Sequence, residues 1–161
     1  MLGQFHGLPL HALIVHGTVV LLPVTALVAL AFGVPRWRRI LRWPLLVLAA
    51  LSVVVVLVTR ASGETLKAAL GTQLKNTVAG TIVADHETLG TRLVFATAVL
   101  LVVAVVAVLV LRATPSGWVR HLPAAALAVT AAVVLTFTVQ TGEAGAKAAW
   151  NPAGNVDYSG H

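Results

Sequence analysis

The sequence predicts an all-α integral membrane protein, a four-helix bundle running up-down-up-down, made of two pseudo-repeated helical hairpins with a short amphipathic surface helix between helices two and three. Three observations predict it. Of 161 residues, 58% are hydrophobic and only 10% charged, and the mean hydropathy is +0.94, a balance outside the range of water-soluble domains. The apolar residues fall into four blocks, each long enough to cross the roughly 30 Å of bilayer hydrocarbon. The basic residues stand mostly beside those blocks, where Lys and Arg anchor helices and set orientation.

The first span is expected over 9–32, with Pro9 suited to a first helical turn. Its apolar run is too long for the core of a cleaved signal, and no basic region precedes it, so this helix is expected to stay in the mature chain. A basic loop carrying Arg36, Arg38, Arg39 and Arg42 leads to a second span over 40–59. Residues 60–85 form an external connection in which Leu66, Leu70 and Leu74 recur among Lys67, Gln73 and Lys75, the pattern of a helix lying on the membrane surface. The third helix is expected over 86–111, its apolar block opening at Leu93. A loop bearing Arg112 and Arg120 precedes the fourth span, over 122–141, and residues 142–161 form an external polar tail. The two arginine-rich loops belong on the cytoplasmic side by the positive-inside rule. Both termini and the 60–85 connection then lie outside, in a bacterial inner membrane.

The two halves resemble copies of one hairpin. Trp43-Pro44 recurs as Leu122-Pro123, and Ser62-Gly63-Glu64 as Thr141-Gly142-Glu143 at the same offset; Lys67-Ala68-Ala69-Leu70 echoes Lys147-Ala148-Ala149-Trp150 with a one-residue slip. Such a chain is a parallel repeat with a pseudo-twofold axis along the membrane normal.

Several function classes fall away. The formal charge of +6 reads as membrane topology, so no nucleic-acid partner is expected. With no cysteine, and no methionine beyond Met1, disulfides, iron–sulfur clusters, thiolate-ligated haem and soft-metal sites are excluded. Neither a nucleophile–base arrangement nor a phosphate-cradling loop is legible, which favours a carrier or a subunit over a free-standing enzyme.

What remains is gathered at one end. Five of six histidines (His6, His11, His16, His86, His161) and all five acids (Glu64, Asp85, Glu87, Glu143, Asp157) fall on the outer side. In an up-down-up-down bundle His11, His16, Glu64, His86 and Glu143 can therefore meet. His11 and His16 are five residues apart, about 140° around a helix and roughly 7.5 Å along it, so both cannot point the same way. His86 lies at a depth nearer His11, and Gly90, one turn on, leaves room for a flat ring. Imidazoles from opposed helices, without sulfur, fit axial ligation of haem b. With Glu64 or Glu143 they fit zinc or iron instead. Blander readings apply elsewhere: His6 and His161 as solvated tail residues, His121 as an interfacial anchor, Asp85 and Glu87 as caps of the third helix, and Arg36-Trp37-Arg38-Arg39 with Trp43 as an interface belt, lipid binding being the lesser alternative.

The opening Gly7-Leu8-Pro9-Leu10-His11-Ala12-Leu13-Ile14-Val15-His16 is similar to the G-L-P-x-H-P-x-x-V-H of a bacterial membrane family known as domain of unknown function 2231. His86-x-x-x-Gly90 and Thr141-Gly142-Glu143 with the tail toward Val156 extend the resemblance along the chain. Ala12 replaces the family's usual proline, and Gly17-Thr18 its aromatic-proline pair. Some relatives are joined to Rieske iron–sulfur domains, so the resemblance implies a place near membrane electron transfer and points to His11, His16 and His86. The expectation is thus an electron-transfer protein holding haem b through His11 or His16 and His86. Arg92 would serve the propionates, and membrane lipid, a Rieske-type or other redox protein and a second copy of the chain are the expected partners. A divalent-metal protein using His11, His16, His86, Glu64 and Glu143, and a cofactor-free accessory subunit, are the alternatives.

Overall fold

The computed structural model describes residues 4–5, 7–112 and 117–156. His6, Asp157 and His161 lie outside them. Gln4–Phe5 pairs antiparallel with Leu8–Pro9 about Gly7, whose φ of +81° glycine adopts without strain. Four helices follow: α1 (Leu10–Phe32), α2 (Arg38–Leu74), α3 (Val78–Arg112) and α4 (Leu122–Trp150). All four are long and apolar enough to cross a membrane.

Local chemistry sets the breaks. Pro35 forces Val34 out of the helical region and into an extended conformation, as the residue before a proline prefers, so α1 stops and a 3₁₀ turn (Pro35–Trp37) hands over to α2. Between α2 and α3 the chain reverses at Asn76, at φ +59°, a left-handed conformation that asparagine tolerates. The Thr77 hydroxyl donates to the Leu74 carbonyl at 2.9 Å and accepts from the Gly80 N–H at 3.1 Å. A Cβ on Gly80 would fall 2.2 Å from the Leu74 carbonyl oxygen, so only glycine permits this turn. Beyond α4, Asn151 closes a loop by bonding both the N–H and the carbonyl of Val156.

Each helix packs on the next and α4 closes on α1, so α1/α3 and α2/α4 are the diagonal pairs. The core alternates large and small residues: Leu22, Ala26 and Ala29 from α1, Leu45 and Ala49 from α2, Leu100, Ala104 and Ala107 from α3, Leu127 and Ala131 from α4. Small residues let the backbones approach closely, the usual basis of helix association in lipid. Two hydroxyl pairs cross the α1–α2 seam, Thr18 with Thr59 at 2.8 Å and Thr25 with Ser52 at 2.9 Å. Only 22–39% of each helix's apolar window is buried, and side chains such as Phe95, 68% exposed, face outward. Lipid is the solvent for that surface.

One expected element is not separate. The Leu66/Leu70/Leu74 segment is the end of α2, continuous with the span; those leucines are half-buried while Lys67, Ala68, Ala69 and Gly71 are exposed. Their spacing reports packing within the bundle rather than contact with a bilayer plane. Hydropathy drops at Arg60, but no proline follows to end the helix. The last turns of α2 and the first of α3 thus form a polar extension tied by an ion pair between Lys67 and Glu87. Likewise α4 runs on through Trp150, into the stretch expected to be tail.

Candidate functional site

Charge positions fix the depth of this extension. From Arg42 to Arg60 on α2 is about 27 Å of helix, and from Arg92 to Arg112 on α3 about 30 Å, which matches a hydrocarbon slab bounded by arginines. His86 lies about 9 Å beyond Arg92 along the axis, and His11 about 7.5 Å beyond His16. Both therefore belong to the polar end of the bundle.

There the two side chains meet. The rings of His11, on α1, and His86, on α3, have centroids 6.1 Å apart with planes at 82°. They reach each other across the diagonal of the bundle, and each is held by the partner helix of its own hairpin. His11 Nδ1 donates to the Thr59 carbonyl at 2.9 Å and lies 3.2 Å from the hydroxyl of Ser62, which is 1% exposed. His86 Nδ1 donates to the Thr141 carbonyl at 2.9 Å. A carbonyl only accepts, so the proton of each neutral ring is fixed on Nδ1 and the lone pair on Nε2. Neither Nε2 has a hydrogen-bond partner among the described residues.

Glycine makes room for both rings. A Cβ on Gly63 would lie 3.1 Å from Cε1 of His11, and one on Gly145 3.0 Å from Cε1 of His86. Thr59 and Gly63 on α2 thus match Thr141 and Gly145 on α4, both pairs 82 positions apart. This corrects the register read from the sequence, in which Gly63 answered to Gly142. Gly142 is exposed, with nothing within 4 Å of a built Cβ. Against the proline pair, Pro44 and Pro123, α4 carries three more residues before its histidine seat than α2 does. The two seats differ in two respects: the Ser62 hydroxyl beside His11 is matched by Ala144, and Thr59 shares its hydroxyl with Thr18, whereas the buried hydroxyl of Thr141 has no partner. Counting from His11 to His86, the counterpart of Thr18 is Leu93, which offers no oxygen.

The remaining candidates stand apart. His16 is exposed on α1, its Nδ1 2.6 Å from the Ala12 carbonyl of its own helix. Arg92 is exposed on α3, six residues from His86 and so about 240° around the helix. Glu64 pairs with Arg60 at 3.3 Å and Glu143 with Lys147 at 2.7 Å, both one turn away on the same helix and exposed. Among the described residues no three His, Asp or Glu side chains form a group able to hold a metal ion. Thr59, Ser62, Gly63, Thr141 and Gly145 complete the site, and the Thr-x-x-x-Gly repeated on both second helices was the sequence signal for them.

The family model for the predicted membrane proteins of domain of unknown function 2231 matches residues 7–157. The chain belongs to this family. The match takes in the site whole, from Gly7 before His11 to beyond Gly145. No curated protein and no solved structure matches the chain.

Proposed function

We propose that this member of the family is a membrane-anchored haem b protein that carries electrons, and that His11 and His86 would hold the haem. The carrying observation is the pair of imidazoles 6.1 Å apart, each with Nδ1 tied to a backbone carbonyl and Nε2 without a partner among the described residues. That second bond is the arrangement that orients ligating histidines and raises their basicity. His11 and His86 would hold the group between them through their Nε2 atoms, each ring fixed in orientation by its Nδ1 bond.

The donor set favours haem over a bare ion. Two nitrogens are half of what a tetrahedral site requires, whereas a porphyrin brings four donors of its own. Glu64 and Glu143, the acids needed for a zinc or iron site, are engaged by Arg60 and Lys147. Gly90, one turn inward from His86, carries no side chain that would crowd a ligand on that face, and a Cβ there would meet nothing within 4 Å. Bound there, the iron would supply one-electron chemistry. The protein's part is to hold both rings by the Thr59 and Thr141 carbonyls, and to place them at the polar end of the bundle within reach of a redox partner outside the membrane. The positive-inside rule, applied to the arginine-rich loops, supports a site and termini facing outward from a bacterial inner membrane.

A second reading, an accessory subunit of a larger complex, is favoured by His16 and Arg92. Both are polar side chains on the outward surface near the hydrocarbon boundary, where such residues mark contacts. The test is a reduced-minus-oxidised visible spectrum of protein purified gently from haem-replete cells. The haem reading expects a Soret band and sharp reduced bands; a colourless protein that copurifies with a stable partner supports the second reading instead.

A further inference from the structure

At the opposite end of the bundle, α1 turns into α2 beneath Arg36, Arg38, Arg39 and Arg42. Arg38 donates from Nη2 to the Gly33 carbonyl at 3.1 Å. The Arg36 guanidinium lies 5.1 Å from the ring centroid of Trp37, and that of Arg42 6.0 Å from Trp43. The Nε atoms of Arg38 and Arg42 are buried and have no hydrogen-bond partner. Every acid among the described residues, Glu64, Asp85, Glu87 and Glu143, lies at the far end, and the first turn of α2 holds none. These like charges therefore have no acidic counter-charge among the described residues. Arg39 stands one turn before Trp43 on the exposed side of α2, with Arg38 and Arg42 on the adjoining half-buried side. Beside Arg39, Ile40 (72% exposed), Trp43 (58%) and Val47 (53%) form an apolar stripe at helical spacing.

We propose that this turn binds the phosphate of an anionic phospholipid, with Arg38, Arg39 and Arg42 as donors and the Ile40–Trp43–Val47 stripe against the acyl chain. Guanidinium groups match phosphate oxygens in geometry as well as charge. The stripe selects a lipid over free phosphate, since only a lipid occupies both parts of the surface. The site is independent of the histidine pair.

The test uses the full chain in nanodiscs of phosphatidylcholine containing some phosphatidylglycerol, followed by native mass spectrometry of retained lipid. Wild type is expected to retain phosphatidylglycerol preferentially, and Arg39→Gln and Arg42→Gln each to lower that preference about fivefold, with Arg112→Gln, at the same end but off this turn, changing it little. Brominated phosphatidylglycerol is expected to quench wild-type tryptophan fluorescence more than brominated phosphatidylcholine, a readout that needs no variant. Equal retention of both lipids, an equal loss from Arg112→Gln, or displacement of the lipid by inorganic phosphate alone overturns the proposal.

Discussion

His11 and His86, 75 residues apart in the chain, come within 6.1 Å at nearly perpendicular ring planes, each hydrogen-bonded to a threonine carbonyl of its own hairpin. The site is assembled from two equivalent halves, and its parts can be removed separately.

The glycine seats provide one such experiment. A Cβ at Gly63 or Gly145 would press on the histidine ring at 3.1 or 3.0 Å, so Gly63→Ala and Gly145→Ala are expected to destabilise the protein by about 1–3 kcal/mol through overpacking. At Gly142, which is helical and open, alanine is expected to be neutral or to stabilise by up to about 1 kcal/mol. Thermal unfolding in detergent checks both. Equal effects at Gly142 and Gly145 would restore the register read from the sequence.

The two threonines differ in a way that can be measured. Replacing Thr59 by Val leaves its carbonyl to His11 but removes the bond to Thr18, at a cost of about 0.6 kcal/mol by comparison with other membrane helices. The Thr141 hydroxyl is buried without a partner, so Thr141→Val is expected to leave stability unchanged or to raise it. Unfolding midpoints of the two variants should move in opposite directions, or the second not at all.

His16 separates the site from the outer surface. Because its ring is turned away and bonded to Ala12, His16→Ala is expected to leave the cofactor content of purified protein unchanged. A visible spectrum per mole of protein checks this; loss of pigment in that variant alone would place the ligand elsewhere.

Much of this was legible in the residues. Apolar block length marked four spans, and the confinement of acids and histidines to one side marked the end that bears the site. The angular offset of His11 and His16 showed that one must turn away, though not which; that depends on where Thr59 and Gly63 lie, a matter of packing between helices. Helix ends were harder to read, because hydropathy records where lipid stops and not where the backbone bonding does, so α2 ran 15 residues past the expected limit at residue 59. Glu64 and Glu143 were expected beside the histidines. Their i, i+4 partners, Arg60 and Lys147, hold them on the outer surface of their own helices. The short Ser/Thr-Gly-Glu match misled the repeat register, whereas Thr-x-x-x-Gly, 82 residues apart, carried it.

The central claim is that both imidazoles serve one group, and low-temperature electron paramagnetic resonance of haem-loaded wild type, His11→Ala and His86→Ala protein tests it most directly. The expected result is a low-spin bis-imidazole signal in wild type, lost or converted to high spin in each variant alone. A low-spin signal that survives either substitution, or wild type that takes up no haem, contradicts the account.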